Sequence, residues 1–341
     1  MKFTIKEMAQ KAGVSVATIS RALNAETRSK VATETLEKVD TLIQKHGYTP
    51  NLAAKILRQS ATKTVGVILP YVKGVFYQSY YEHILSGIAD ALFHTEYQFK
   101  LLLLREEKMA RDRYDFQAGE RVDGLIITHW AKFFSHKKFL EKINIPCVVI
   151  NDYDKNIKAQ FVSGDHFSGG QKAAEYLYAQ GHRRFGVLTG AVWSRDSQAR
   201  LEGFKSFLEQ RGVILNPENV INADYSEEAA FERVGELFKN NLTAIFCCND
   251  QMAWGVLKRL KKEGFSCPED ISIVGYDNDW RTALCAPPLT TIDVPIYELA
   301  KSATKLLIDH LQGQAEKPFV KVHFLPVELV ERKSVQSIPA V

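Results

Sequence analysis

"GVSVATISRALN", residues 13–24, decides the reading of this chain. Small apolar residues alternate with Ser, Thr and one arginine directly after a glycine. Upstream, Thr4 and Glu7 form a T-x-x-E capping box, in which the Thr hydroxyl takes an orphan amide and Glu7 reaches back. Ile5, Met8, Ala9 and Ala12 follow at helical spacing, and Gly13 supplies the left-handed residue that ends the helix. Only Val14 separates that stop from Ser15, a good N-cap for a second helix through Asn24. Helix, tight glycine turn, helix is the helix-turn-helix pattern. The spacing predicts a third amphipathic helix over Thr33–Lys45, with Leu36, Val39, Leu42 and Ile43 on one face.

Within the second helix, Ile19 and Leu23 are four apart and are expected inward with Val14. Val16, Ala17, Ser20 and Arg21 fall on the other side, where a side chain facing water has no packing reason to be small. A helix entering the DNA major groove has one. Val16 and Ala17 allow close approach and contact with thymine methyls, while Arg21 can donate a bidentate pair to guanine O6 and N7. Thr18 and Ser20 are phosphate-contact candidates, as are Thr4 and Lys6 in the first turn region, and Ser15 joins the DNA-contact set.

Residues 49–60, "TPNLAAKILRQS", extend this reading. Pro50 fixes the chain direction, Asn51 can cap, and Leu52 to Arg58 spell about two turns of helix, too short to be stable alone in water. Such a segment orders only against a partner. Asn51, Ala54, Leu57 and Arg58 are its DNA-contact candidates, with Leu57 an apolar wedge suited to opening a minor-groove base step.

Charge points the same way. The 341 residues carry a formal net charge of +4. Residues 1–60 hold ten Lys/Arg against five Asp/Glu, and the remainder holds 34 against 35. All excess positive charge therefore sits on the first sixth of the chain, an electrostatic footprint for a polyanion. The length fits two or three domains. At 45% hydrophobic and 25% charged residues the composition is that of a soluble globular protein. No apolar run approaches the roughly 18 residues of a membrane span. "MKFTIKEMAQ" lacks the apolar stretch of a secretory signal. Five scattered cysteines without CxxC or His-ligand spacing fit reduced thiols in a cytoplasm, and neither a metal nor a cofactor is expected.

Beyond the polar linker "SATKT", strand-like and helix-like segments alternate. Strands are expected at 65–70, 99–104, 124–129, 147–151, 184–190, 244–249 and 271–277. Near-continuous apolar runs separated by helical segments mean parallel sheets covered on both faces. Seven strands over 280 residues fit two doubly wound subdomains, an α/β architecture in which ligands bind at the carboxyl ends of strands. Polar or aromatic groups collect there: Tyr71, His129, Asn151, Asp152, Asn249, Asp250 and Asp277. "DSQARLEGF" (196–204) opens a helix that carries Arg200 on its first turns, and "GDHFSGG" (164–170) opens another, over 168–180. Asp250 is expected to cap the helix that follows it.

"TIKEMAQKAGVSVATISRALN", "GYTPNLAAKIL" and the strand-end motifs resemble the lactose/galactose-repressor (LacI/GalR) family over essentially the whole chain. The resemblance implies a three-helix DNA-binding domain over 1–48, a hinge helix and linker over 49–63, and a periplasmic-binding-protein-like core over 64–341. That core would divide into one subdomain of 64–161 plus 293–326 and another of 162–292 plus 327–341. It implies a homodimer on a near-palindromic operator, with paired hinge helices inserting Leu57, and half-sites with a central CG step. It also places Arg200, Asn249 and Asp277 at effector contacts, with Tyr80 and Tyr81 as an aromatic pair facing the cleft. Tyr225 becomes their counterpart on the other lobe, and His129 and Asn151 complete the effector set. A carboxylate, an amide and a guanidinium suit the vicinal hydroxyls of a sugar-like effector. Three departures stand out: Leu36 replaces a usual arginine, Val294 replaces a ligand-contacting Gln of some members, and the loop around 71–81 is longer and rich in tyrosine.

Catalytic motifs are missing. There is no G-x-S-x-G elbow, P-loop, G-x-G-x-x-G after a strand or H-E-x-x-H. The expected function is a cytoplasmic, effector-controlled DNA-binding regulator. The competing reading is a solute receptor on the same core fold, which predicts an export signal and no basic helical head.

Overall fold

The computed structural model describes residues 3–23, 25–48, 62–70, 75–104, 120–128, 143–153, 159–314 and 322–339. The chain separates into two compact units, 1–62 and 63–341.

The first unit is helical: α1 (Ile5–Ala12), α2 (Val16–Leu23), α3 (Ala25–Arg28) and α4 (Thr33–His46). Thr4 caps α1 in a complete capping box. Its hydroxyl accepts from the Glu7 amide at 3.3 Å, while its own amide donates to Glu7 Oε2 at 2.7 Å. Gly13 ends the helix at φ 68°, a left-handed conformation costly for side chains with a Cβ. Ser15 Oγ then accepts from the Thr18 amide at 3.1 Å, the bond expected of an N-cap. Met8, Ala9, Ala12, Ile19, Ala22 and Val39 form the buried core, with Val14, Leu23, Leu36, Leu42 and Ile43 packed half-buried against it. The short α3 was not legible in the sequence. Arg28 ties its end down, donating to Ala22 O at 2.9 Å and pairing with Asp40 at 2.5 Å.

The second unit holds two six-stranded sheets. The first is ordered β11-β5-β4-β3-β1-β2, the second β12-β10-β9-β8-β6-β7. The strands are β1 (Thr64–Pro70), β2 (Gln98–Leu104), β3 (Gly124–Thr128), β4 (Cys147–Ile150), β5 (Gln160–Gly164), β6 (Phe185–Thr189), β7 (Val220–Asn222), β8 (Ala244–Cys247), β9 (Ser272–Asp277), β10 (Thr290–Asp293), β11 (Val322–Leu325) and β12 (Glu328–Val330). All pairings are parallel except β10 with β12. Helices α5 (Ser79–Leu92), α6 (His166–Ala179), α7 (Arg195–Glu209), α8 (Glu227–Arg233), α9 (Gly235–Phe238), α10 (Asp250–Glu263) and α11 (Ile296–Leu311) join them. Most apolar runs read from sequence are central strands, and β1, β3, β4 and β8 are buried residue after residue, as sheets covered on both faces require. The run at 99–104 instead forms the edge strand β2, where Leu101 and Leu103 are exposed. The five other strands were not read, because they are short or carry polar residues: "QFVSG", "VIN", "TTID", "VHFL" and "ELV".

The chain passes between the sheets three times: between β5 and β6, between β10 and β11, and between β11 and β12. Helix α6 begins at His166, two residues earlier than the sequence indicated, with Asp165 as its N-cap. It packs against α7 at backbone contact: a Cβ on Gly170 would come within 2.0 Å of Arg200 O, and one on Gly203 within 2.0 Å of Phe167 O. Phe204 from α7 stacks on Phe246 of β8 at 5.0 Å between centroids and meets Phe185 edge-on, fixing the helix pair to the sheet.

Candidate functional site

Two surfaces carry the candidate chemistry. On the first unit, Ala17 and Arg21 are exposed on α2, with Thr4, Lys6 and Ser15 also exposed. The Arg21 guanidinium has no partner among the described residues. Val16 is a partial correction to the outward face read from sequence. It is half-buried and packs against the core, and Thr18 and Ser20 are half-buried as well. The inward set also shifts: Ala22 is fully buried beside Ile19, whereas Leu23 is half-buried. The i, i+3 spacing of Ile19 and Ala22 carried that signal. Thr4 already uses its hydroxyl in the capping box, and Ser15 and Thr18 share a hydroxyl–hydroxyl bond of 2.9 Å. Leu36 occupies its place as an apolar contact of the core. Asn24, Asn51, Ala54, Leu57 and Arg58 lie outside the described residues, as do Tyr71 and His129.

On the second unit, the strand ends of the two sheets enclose a cavity of about 540 Å³. Tyr80, Tyr81, Arg200, Tyr225, Asn249 and Asp277 all line it. Arg200 is the hub. It is 2% exposed, and its Nη1 donates to Cys248 O. Nη2 reaches Asp196 Oδ2 at 3.3 Å, Nη1 stands 3.4 Å from Asp277 Oδ1, and the guanidinium lies 3.9 Å over the Tyr276 ring. Burial disfavours the guanidinium charge, but Asp277, Tyr225 and Asp196 outweigh it and hold Arg200 protonated. The Asp277–Arg200 contact has ion-pair distance without hydrogen-bond geometry, so Asp277 Oδ1 remains unsatisfied; Arg200 Nε has no hydrogen-bond partner either. Burial raises the Asp277 carboxyl to about 7; Arg200 pulls it down while Asp196 and Asp279 push it up. Its backbone stands at φ 103°, outside the ordinary range for a side chain with a Cβ.

The aromatic groups divide. Tyr81 is 3% exposed and belongs largely to the core; Tyr80 is half-buried, and its hydroxyl accepts from Asn151 Nδ2 at 3.3 Å. Asn151 therefore stands behind the wall and does not line the cavity itself. Its Oδ1 accepts from the Gly164 amide at 3.2 Å, clipping β4 to β5. Tyr225, at φ 59°, shares a 2.7 Å bond with Ser194. Asn249, not Asp250 as the sequence suggested, caps α10, accepting from the Met252 amide at 2.9 Å. The reason is that Asp250 is 2% exposed and turned inward. It accepts from Thr291 Oγ1 at 2.7 Å and from the Asp279 amide at 2.8 Å, and burial raises its carboxyl strongly. Val294 is buried in the core and absent from the cavity lining.

Sequence reasoning missed Ser79, Trp193, Asp196, Asp224 and Asp279, all of which line the cavity. Asp196 had a usable signal, an acid four residues before Arg200 on one helix face. Asp279 had none, since its partner Ser79 is 200 positions away.

Residues 4–51 match the family model of bacterial regulatory proteins of the lacI family, and residues 174–335 match a periplasmic binding protein-like domain. The chain is 30% identical over 340 residues to the HTH-type transcriptional repressor PurR of Haemophilus influenzae, spanning 98% of this chain and 99% of that one. It is similar to the structure of the lac repressor dimer bound to operator and the anti-inducer ONPF, with a TM-score of 0.82, 26% identity, and coverage of 98% and 100%. A lacI-family regulator from Enterococcus faecium with bound ribose matches with a TM-score of 0.69 and 29% identity, over 81% of this chain and all of that one. A basic helix-turn-helix unit followed by a two-sheet core is matched over nearly the whole chain by PurR and the lac repressor, and the chain belongs to the lacI family of bacterial regulatory proteins as a DNA-binding transcriptional regulator.

Proposed function

We propose that this protein is a repressor acting in the cytoplasm, binding a near-palindromic operator as a homodimer under control of a sugar or sugar derivative held in the core cleft. The observation that carries the DNA half is α2: Ala17 and Arg21 are exposed on the second helix of a helix-turn-helix whose other face is packed. Arg21 is assigned to guanine, Ala17 and the outer edge of Val16 to thymine methyls, and Thr4, Lys6, Ser15, Thr18 and Ser20 to the backbone. The hinge assignments of Asn51, Ala54, Leu57 and Arg58, and the module divisions at 48/49 and 63/64, belong to the same proposal. A solute receptor without regulatory role would leave the match of residues 4–51 without a use.

For the effector half, Arg200, Asp277 and Asn249 offer a donor, an acceptor and an amide at one wall, and Tyr80 and Tyr225 offer ring faces for the C–H side of a sugar. His129 is assigned to the same set and Asn151 to its support. Ribose, named with one structural relative, is a ligand of this chemistry. The reading is one of binding, with no reaction assigned. If effector prefers one arrangement of the lobes, it must shift operator affinity by the factor by which operator shifts its own. A mobility-shift selection from a random duplex library, followed by titration of sugars at fixed salt, tests both halves. Failure to select any sequence sinks the DNA half, and operator affinity indifferent to every sugar sinks the effector half.

A further inference from the structure

We propose that the effector of this cleft is a polyhydroxylated amine, carrying a positive charge beside its hydroxyls, and that acidic ligands are rejected. The inference rests on the reading that the cleft holds the effector. It starts from the charges that line the cavity. Every carboxylate among the described lining residues belongs to the second-sheet side, from α7, the β7–α8 segment, α10 and the end of β9. The first-sheet side contributes His83, and Arg200 is the cavity's one guanidinium among the described lining residues.

That guanidinium is already committed. It faces two carboxylates, Asp196 at 3.3 Å and Asp277 at 3.4 Å, so the triad carries more negative than positive charge when both are ionised. Arg200 is 2% exposed, and only its Nε is left without a partner. One unsatisfied N–H asks for a single acceptor oxygen on the ligand. It does not offer the fork that a phosphate or carboxylate takes.

The other carboxylates divide by partner. Asp250 accepts from Thr291 Oγ1 and the Asp279 amide, Asp279 pairs with Arg281 at 2.6 Å, and Glu227 pairs with Lys258. Asp224 and Glu228, on either side of Tyr225 and Ser226, have no ion-pair partner among the described residues. The favourable field at a helix N-terminus accounts for Glu228, which lies in the first turn of α8. It does not account for Asp224, which precedes the Ser226 cap. A concave wall of one sign focuses the field into the cavity, even though Asp224 and Glu228 are themselves exposed. Trp193 and Tyr225 line the same side. Their ring faces attract cations and are indifferent to neutral hydroxyls in that respect. A ligand with hydroxyls for Arg200, Asn249 and Asp277 and an ammonium toward Asp224 and the rings meets all of these groups.

Two measurements on the full-length protein test this. Thermal shift is read for matched probes: glucosamine against glucose, galactosamine against galactose, and glucose 6-phosphate and galacturonate as acids. The amine member is expected to bind roughly tenfold tighter than its hydroxyl counterpart at low salt. The advantage should shrink at high salt and in Asp224→Asn/Glu228→Gln. A hydroxyl or acidic member binding as tightly as its amine overturns the proposal. The second measurement needs no ligand: fluorescence quenching of Trp193, isolated as the difference from Trp193→Phe, by caesium and by iodide. Caesium is expected to quench more strongly, with the preference lost in the double variant. Equal quenching, or stronger quenching by iodide, overturns the proposal. Operator selection on the same preparation separates the two readings. Loss of sequence-preferring DNA binding removes the regulatory reading and leaves the charge preference standing, whereas retained operator binding with a cleft that favours neutral or acidic probes removes only this inference.

Discussion

The Ser79 hydroxyl donates to Asp279 Oδ2 over 2.5 Å, joining the start of α5, which packs on the first sheet, to the segment that follows β9 in the second. Asp279 is 6% exposed and is held from the other side by Arg281, so the bond spans the cleft from a fixed base. Ser79→Ala removes it while leaving Asp279 paired, at a cost of about 1 kcal/mol to the closed arrangement. Hydrogen exchange at the first turn of α5 should quicken severalfold in the unliganded protein. Unchanged exchange there means that the lobes are held together elsewhere.

Arg21→Ala leaves the fold of the first unit intact, because the side chain is exposed and unpartnered among the described residues. Discrimination between the selected operator and random duplex should fall by about 1–3 kcal/mol per half-site, while weak, salt-sensitive binding persists. Competition assays at fixed salt measure both. Preserved discrimination would show that another face of the unit reads the bases.

Arg200→Ala takes the cationic partner from Asp277, one of the partners from Asp196, and the cover from Tyr276. Removing one member of a buried charge cluster costs about 3–5 kcal/mol, seen as a lowered denaturation midpoint of the core. Adding Asp277→Asn should restore part of the loss, because one stranded carboxylate is then neutral. A double variant less stable than the single would argue against charge as the cause.

Asp277 gives the pH dependence a definite sign. Burial lifts its carboxyl from 3.8 to about 7, so the folded chain holds that proton more tightly than the unfolded chain. Its contribution to stability is complete below the unfolded value and is lost as pH rises through 7. Effector binding has the opposite sign, since an ionised Asp277 is the better acceptor for a hydroxyl or an ammonium. Binding isotherms for a neutral sugar, whose own charge does not change with pH, should therefore tighten as pH rises across about pH 6 to 8, and Asp277→Asn should flatten the curve. Tightening on acidification would contradict the assignment of Asp277 to the effector.

Gly170→Ala drives a methyl into the Arg200 carbonyl, where a Cβ would sit at 2.0 Å. Backbone cannot yield as a side-chain tip does, so α6 and α7 must separate. The expected loss is about 1–3 kcal/mol of core stability, together with weaker effector binding, because α7 carries Arg200 and Asp196. Thermal unfolding checks the first effect; a wild-type midpoint would mean that the helix pair has slack.

Much of this was legible in residue order because the signals are local. A T-x-x-E box, a left-handed glycine and a serine cap fix α1 and α2 within one another's reach along the chain. The apolar runs of β1, β3, β4 and β8 need no partner to be recognised. Short strands such as "VIN" and "TTID" were not legible, since their pairing is set by neighbours far off in sequence. The same holds for Val16, whose half-burial depends on where the rest of the unit places its core. Asp250 illustrates the limit best. In sequence it and Asn249 are equivalent caps, and only the positions of Thr291 and the Asp279 amide decide that Asp250 turns inward and Asn249 caps the helix.

The residue order alone determined the helix-turn-helix, the concentration of positive charge beside it and the alternation of buried strands with helices, because each follows from spacings of a few residues. The tertiary structure alone decided which strand ends meet. Long-range packing brings residues 79, 196, 200, 224, 277 and 279 around one cavity, and it sets the burial that lifts Asp277 and holds Arg200 charged between two acids. Hydrogen bonding and desolvation act over a few ångströms of space, and distance along the chain does not predict distance in space.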